Sequence, residues 1–204
     1  RRHGPGGRAL VQLILIRHGE PDMSAGEHDP PLSQRGLRQA RATATRLALE
    51  PIERVVASPL RRARQTAEPL AQRLGVPVEE VEGVAEVDRW GARYVSVEDL
   101  RRSGGEPWAR FLADPVGALG GDEPAFRSEV LATVEALARD CRGRTAIATH
   151  GLPINLILAT WLRLEGLTNF APLHASVTRL HVGAQGRLTV LSVNESMHLP
   201  RELR

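Results

Sequence analysis

The sequence predicts an α/β protein of three layers, in which helices cover both faces of a mostly parallel sheet. Apolar segments of strand length alternate with amphipathic helical segments along most of the 204 residues. The last two strand-like segments are joined by a short connection, which indicates a hairpin and an antiparallel edge strand. A chain of this length can bury a full core, and we expect a single domain over residues 10–204 behind a flexible tail at 1–9.

The first half of the chain begins with an apolar, β-branched run at residues 10–16, which is typical of a buried strand. Ser33 then caps a helix that Pro51 closes. Residues 54–57 form a second, short strand. Ser58-Pro59 opens the next helix, with serine as its cap and proline at its first position.

The second half continues the alternation. Gly75 ends the preceding helix, and residues 76–84 hold a further short strand. Residues 85–121, which contain several Gly and Pro, predict an irregular insertion that shapes a site. The remaining elements are a helix from Asp122 to before Gly143, a strand at 145–149, an apolar helix from Pro153 to about Leu162, and strands at 177–182 and 188–193.

Composition limits the classes of function. The formal net charge is +3, and all 27 cations are arginine, dispersed among 24 acidic residues. A nucleic-acid-binding protein would concentrate such charge in runs, so we expect no nucleic-acid partner. The lone Cys141 excludes an internal disulfide, and no apolar stretch is long enough to suggest a signal peptide or a membrane span. We therefore expect a cytoplasmic protein without a membrane partner.

Polar groups collect where three of the predicted strands end. Arg17-His18-Gly19-Glu20 follows the first strand, Ser58 and Arg62 follow the second, and His150-Gly151 follows the strand at 145–149. The carboxyl ends of parallel strands share one edge of a sheet, where ligands bind. Arginines beside histidines at a helix N-terminus suit an anion, above all a phosphate. The other histidines are interpreted as ordinary surface or core residues.

These blocks resemble the signature of the histidine phosphatase superfamily, whose fold is phosphoglycerate mutase-like. The resemblance covers nearly the whole chain beyond the tail, and the order of the blocks is highly specific. The matching segments are Leu15-Ile16-Arg17-His18-Gly19-Glu20, residues 31–40, residues 58–67, Thr149-His150-Gly151-Leu152-Pro153-Ile154, and residues 194–199.

The resemblance implies roles for individual residues. His18 matches the nucleophile that becomes phosphohistidine, Arg17 and Arg62 match the two phosphate clamps, and His150 matches the second pocket histidine. Together with the backbone at Gly151, these groups can hold the charge of a phosphoryl group without a metal or cofactor.

The family's proton donor is a carboxylate after the third strand, and Glu86 fits it best. Relatives often carry a Gly-x-Trp-Glu-Gly-like stretch soon after this acid, whereas residues 87–91 here read Val-Asp-Arg-Trp-Gly. Glu82 and Asp88 therefore stay open as alternatives. Glu20 is interpreted as a structural hydrogen-bond acceptor.

The resemblance implies a metal-independent phosphomonoesterase that acts through phosphohistidine on a small phosphorylated metabolite. A phosphoglycerate mutase is the nearest alternative, although residues 86–122 are short for a mutase insertion and the chain has no lysine. A non-catalytic member that binds a phosphorylated ligand or a protein is a further alternative. A metal hydrolase is disfavoured because no HExxH or similar paired-ligand motif is present.

Substrate choice and assembly are left open by the sequence. Loops 20–32 and 85–121 are expected to surround the leaving group. Trp90, Arg93, Tyr94 and Trp108 are the candidate specificity residues, and a homodimer is allowed but not indicated.

Overall fold

The computed structural model describes residues 11–25, 27–90 and 94–204, so the predicted tail and the candidate Arg93 lie outside the described residues. Six strands lie in these ranges: β1 (Gln12–Arg17), β2 (Ile52–Ala57), β3 (Val78–Glu80), β4 (Arg144–Thr149), β5 (Val177–Val182) and β6 (Leu188–Glu195). The α-helices there are α1 (Gln34–Leu47), α2 (Arg61–Leu74), α3 (Val97–Ser103), α4 (Gly105–Ala113), α5 (Pro115–Ala118), α6 (Glu123–Asp140) and α7 (Gly151–Leu162). No helix of this part of the chain has the length and apolar character that a membrane crossing requires.

The strands form one sheet in the order β3-β2-β4-β1-β5-β6. β1, β2, β3 and β4 are parallel, while β5 runs antiparallel to both β1 and β6. The predicted α/β class with an antiparallel part at one edge is confirmed. The order also places β2, β4 and β1 side by side, so that their carboxyl ends share one edge.

The sheet has a separate hydrophobic cluster on each face. Every residue of β1 is buried, which explains why residues 13–16 are all apolar instead of alternating with polar residues. One cluster, against α6 and α7, includes Leu13, Leu15, Val56 and Ile147. The other, against α1 and α2, includes Ile14, Ile16, Val55 and Ala146.

The two helices that follow the first strands begin differently. Ser33 caps α1 as predicted, since its hydroxyl accepts a hydrogen bond from the Gly36 amide. The predicted cap at Ser58 is wrong, because α2 begins at Arg61 and has no side-chain cap. Gly75 ends α2 as predicted, with a φ of 68° that glycine adopts without strain.

The predicted irregular insertion at 85–121 is largely helical, and that prediction is wrong in this respect. Helices α3, α4 and α5 have only 7, 9 and 4 residues. Ser96 caps α3 and Asp114 caps α5, while Gly104, with a φ of 62°, separates α3 from α4. Helices this short depend on packing for their stability, so their local sequence alone predicts them poorly.

Candidate active site

His18 lies at the end of β1 with only 3% of its surface exposed. Its Nδ1 lies 2.7 Å from the carbonyl oxygen of Gly19. A carbonyl oxygen can only accept, so Nδ1 carries the proton and Nε2 has a free lone pair. Burial above all, and then the positive charge of Arg62, lowers the pKa of His18 well below its ordinary value. The imidazole is therefore neutral and nucleophilic at neutral pH.

The loop after His18 is held tightly between two helix starts. A side chain at Gly19 would place its Cβ 2.7 Å from the carbonyl oxygen of Gly36 in α1, too close for any other residue. The Gly19 amide donates to the Thr66 hydroxyl at 2.9 Å, and this hydroxyl donates to the Arg62 carbonyl at 2.7 Å. These contacts fix the position of His18 relative to α2.

Glu20 makes the scaffold contacts expected of it. Its carboxylate accepts hydrogen bonds from the Ser33 hydroxyl at 2.9 Å and from Arg35 at 3.0 Å. These contacts tie the loop to the first turn of α1.

His150 lies beside His18 at the N-terminus of α7. The two ring centroids are 5.1 Å apart, and the ring planes are inclined by 54°. His150 is fully buried, and its Nε2 lies 2.8 Å from the Ser58 hydroxyl. Ser58, which does not cap α2, therefore orients His150. Burial, followed by the charges of Arg62 and Arg17, lowers the pKa of His150 and keeps it neutral.

Each of the two predicted clamp arginines is held by a carboxylate. The Nη1 of Arg17 donates to the Pro172 carbonyl at 2.7 Å and also lies 2.6 Å from the Glu98 carboxylate. Arg62 is fully buried, and its Nη2 contacts both carboxylate oxygens of Asp88, at 2.9 and 2.8 Å. Both guanidinium groups are thus positioned before any ligand arrives.

Several buried polar atoms of this region have no hydrogen-bond partner among the described residues. They are Nε of Arg17, Nε of Arg62, Nδ1 of His150 and Nε2 of His174. An unsatisfied buried polar atom costs about 1–3 kcal/mol, so four in one region call for an explanation. The oxygens of a bound tetrahedral anion are suited to accept hydrogen bonds from donors of this kind. Gly151 leaves room for it, since a Cβ there would still be 4.0 Å from the Arg17 Nε.

Glu86 lines the same cavity as Arg17, His18 and Arg62. Its Oε1 accepts from the Val87 amide at 3.1 Å and its Oε2 from the Leu152 amide at 3.2 Å. Burial, and then the nearby charge of Asp88, raises the pKa of Glu86 to about 7. A carboxyl with this pKa can both donate and accept a proton near neutral pH.

The geometry favours Glu86 over the two alternative acids. The side chain of Glu82 is 73% exposed and does not line the cavity. Asp88 does line it, but both of its oxygens are engaged by Arg62. Glu86 is the carboxyl beside Gly151, with its Oε2 3.9 Å from the position of a Cβ there.

Comparison with known proteins supports the fold and the family. A sequence profile of the histidine phosphatase superfamily (branch 1) matches residues 13–196. The chain belongs to this superfamily. Phosphoserine phosphatase 1 of Hydrogenobacter thermophilus is 27% identical over 204 aligned positions, covering 93% of this chain and 95% of the relative. The protein of Photorhabdus laumondii named "Probable phosphoglycerate mutase GpmB" is 29% identical over 167 positions, or 76% of each chain.

Solved structures show the same histidine phosphatase fold. A mycobacterial glucosyl-3-phosphoglycerate phosphatase superposes with a TM-score of 0.75 at 22% identity, covering 91% of this chain and 99% of that one. Phosphoserine phosphatase from Entamoeba histolytica, solved with 3-phosphoglyceric acid, gives a TM-score of 0.72 at 24% identity, with 93% and 99% covered. The related superfamily members are thus phosphatases or mutases.

The structure places two further residues at this candidate site that sequence reasoning did not select. His174, interpreted above as ordinary, has its ring centroid 5.4 Å from that of His18 and lines the same cavity. Glu98 pairs with Arg17 and has an oxygen 3.8 Å from the Nε2 of His174. Burial opposes ionisation of Glu98, but Arg17 outweighs it and holds the pKa of this carboxyl at about 2. No local motif marks either residue, because each is brought in by a loop or a short helix.

The site opens into a cavity of about 620 Å³. Of the candidate specificity residues, Tyr94 and Trp108 line it, and the Tyr94 ring lies 4.7 Å from the Arg62 guanidinium carbon. Trp90 ends a short 3-10 helix, and its side chain lies outside what the structure describes. Within the described ranges, no group of three or more His, Cys, Asp or Glu side chains is arranged to hold a metal ion.

Proposed function

We propose that this protein is a metal-independent phosphomonoesterase that acts on a small phosphorylated metabolite through a phosphohistidine at His18. One observation carries the proposal. Arg17, His18 and Arg62 line one cavity, the His150 ring lies 5.1 Å from that of His18, and the two arginines and His150 each have a buried polar atom without a partner among the described residues. Such a set of groups suits a phosphoryl group. Covalent phosphoryl transfer requires a neutral nucleophile to attack phosphorus while fixed positive groups hold the phosphoryl oxygens.

In the first step, Nε2 of His18 attacks phosphorus in line with the ester oxygen. A P–N bond forms and the P–O bond to the leaving group breaks, while protonated Glu86 gives its proton to the departing oxygen. The Nδ1–H to Gly19 hydrogen bond stabilises the positive charge that develops on the ring. Arg17, Arg62 and the α7 N-terminus at Gly151 hold the non-bridging oxygens.

In the second step, the Glu86 carboxylate removes a proton from a water molecule, whose oxygen attacks the phosphorylated His18. The P–N bond breaks, inorganic phosphate leaves, and both residues return to their starting protonation states. The raised pKa of Glu86 suits both halves of this cycle, because the group must lose and regain a proton near neutral pH.

A phosphoglycerate mutase is the second candidate, supported by the relative that carries this name. A mutase would return the phosphoryl group from His18 to a bound phosphoglycerate instead of to water. Bisphosphoglycerate-dependent isomerisation of phosphoglycerate, faster than phosphate release, would reverse the order of the two candidates. The single domain, the cytoplasmic location and any homodimer stay predictions of the sequence.

The test is a phosphatase screen across a panel of phosphorylated metabolites. We expect phosphate release by the wild type, undiminished by a metal chelator, and none by His18→Ala. His181→Ala is the matched control, since this half-buried histidine on β5 donates from Nδ1 to the Val11 carbonyl oxygen and lies outside the cavity. Persistent activity in His18→Ala, or loss of wild-type activity in chelator, would overturn the proposal.

A further inference from the structure

We infer that the substrate's leaving group is a bulky, mainly apolar body, and not the short carboxylate-bearing chain of phosphoserine or phosphoglycerate. The inference rests on the proposed function, because it concerns the part of the substrate that departs when His18 attacks. It follows from the walls of the cavity beyond the phosphate-binding groups.

Aromatic side chains are concentrated in this cavity. The whole chain has only seven Phe, Trp and Tyr residues. Four of them line the cavity, namely Tyr94, Trp108, Phe111 and Phe170. Trp108 and Phe111 are stacked, with centroids 5.5 Å apart and planes inclined by 14°. Most of the few aromatic residues of this protein thus lie where their large, rigid apolar surfaces can contact a ligand.

The aromatic wall is continuous with the main hydrophobic cluster of the protein. Phe111, Leu119, Leu152 and Leu167 line the cavity and belong to that cluster, each with less than a tenth of its surface exposed. Leu112 adds an exposed apolar side chain at the cavity, 46% of it accessible. Part of the cavity wall is thus formed by core residues, and burial of apolar ligand surface against them is favourable.

Two polar side chains that line the cavity, Asn155 and Gln39, are already engaged by the protein. Asn155 donates to the carbonyl oxygens of Gly151 and Phe170 and accepts from the Phe170 amide. Gln39 donates to the Leu203 carbonyl and accepts from the Glu20 amide. A hydroxylated or carboxylated leaving group would have to break these bonds to be recognised by them.

Charges of both signs line the cavity, and most of the charged side chains there are paired within the protein. Glu98 is anionic and pairs with Arg17. Arg35 donates to Glu20, and Arg204 donates to the Leu199 carbonyl. Arg101, on the same helix as Glu98, is exposed, lines the cavity and makes no hydrogen bond or ion pair within the described ranges. Recognition of a substrate carboxylate would therefore depend on Arg101.

The experiment compares kcat/KM for ethyl, butyl, hexyl and octyl phosphate with that for phosphoserine and 3-phosphoglycerate. The alkyl series keeps the chemistry of the leaving oxygen almost constant. We expect kcat/KM to rise about fourfold for each added methylene that is buried, and to exceed the values for both acids. A flat series, or a preference for either acid that Arg101→Ala removes, would overturn the inference.

Two tryptophan variants localise the effect. Trp108 and Trp161 are both half-buried and packed against the same cluster, but only Trp108 lines the cavity. Trp108→Ala should flatten the dependence on chain length, whereas Trp161→Ala should leave its slope unchanged. Equal slopes in the two variants would contradict the assignment of the wall.

Failure of this inference is distinguishable from failure of the proposed function. If His18→Ala abolishes hydrolysis of every substrate and the series is flat, only the inference on the leaving group fails. If His18→Ala hydrolyses octyl phosphate as well as the wild type does, the phosphohistidine mechanism itself fails.

Discussion

The proposed phosphate-binding half and the proposed leaving-group half of this site come from different parts of the fold. The first, called the phosphate half below, consists of the ends of β1, β2 and β4, which are adjacent central strands, and its candidate side chains are almost fully buried. The second, the leaving-group half, consists of α3–α5 and the segment 163–176, where many side chains are half-buried or exposed. On the proposed function, the sheet edge positions the reacting groups, while short helices and loops select the substrate.

Glu86 faces both halves, and its replacement gives the largest effect among the tests of this division. Glu86→Gln removes the proton donor, so kcat/KM for alkyl phosphates should fall about 10²- to 10⁴-fold. For 4-nitrophenyl phosphate the loss should be much smaller, because that leaving group departs without a proton. Wild-type kcat/KM for alkyl phosphates should fall as pH rises through about 7, where Glu86 loses its proton.

Glu82→Gln is the control for this comparison, since Glu82 is a neighbouring but largely exposed acid. It should leave both activities unchanged. Equal losses for alkyl and nitrophenyl esters in Glu86→Gln would remove Glu86 from the role of acid.

A smaller and uniform effect is expected from Arg62, which belongs to the phosphate half alone. Arg62→Lys keeps a positive charge opposite Asp88 but removes the unpartnered Nε. Loss of one preorganised donor should lower kcat/KM about 10²- to 10³-fold, by the same factor for every leaving group. Arg101→Lys, in the other half, should change alkyl phosphate hydrolysis little. A factor for Arg62→Lys that depends on the leaving group would show that the halves do not act separately.

The last predicted effect is on stability, and it again concerns Glu86. The pKa of Glu86 rises from 4.5 to about 7 on folding, so the native state binds this proton more tightly than the unfolded state does. The resulting stabilisation is complete below pH 4.5 and is lost as pH rises through about 7. Between these limits the free energy of unfolding should fall by up to about 3 kcal/mol more in the wild type than in Glu86→Gln.

Urea unfolding of both proteins at pH 5 and pH 8 measures this difference. The free energy of unfolding should decrease more between pH 5 and pH 8 in the wild type than in Glu86→Gln. A difference between the two that is independent of pH would mean that Glu86 does not carry a raised pKa.

The phosphate half was largely predictable from sequence because its signals are local. Each signal lies in consecutive residues: the buried strand, the segment Arg17-His18-Gly19 that follows it, and the helix start at His150-Gly151. Because the strands are parallel and adjacent, their carboxyl ends lie together. Even here one local rule failed. Ser58 has the sequence context of a helix cap, but its hydroxyl lies against His150, a contact 92 residues away along the chain.

The leaving-group half was not predictable to the same extent, because its contacts are tertiary. His174 lies in a segment without a periodic pattern, and hydrogen bonds from the Ala175 amide to the carbonyl oxygens of Arg17 and His18 hold that segment beside His18. Glu98 lies in a helix of 7 residues, and nothing in the sequence of that helix indicates that Glu98 pairs with Arg17. The concentration of aromatic residues was visible in part, since Tyr94 and Trp108 were candidates, but Phe111 and Phe170 join them only in the folded chain.

The most direct test of the central claim is to trap the phosphoryl group on the enzyme. Wild-type protein is mixed with 4-nitrophenyl phosphate, stopped within one turnover in alkaline denaturant that preserves phosphohistidine, digested and analysed by mass spectrometry. Our account predicts a phosphoryl group on the peptide that contains His18, absent from the peptides of His150 and His174 and absent in His18→Ala. Turnover without any phosphorylated peptide, or with the phosphoryl group on another residue, would contradict it.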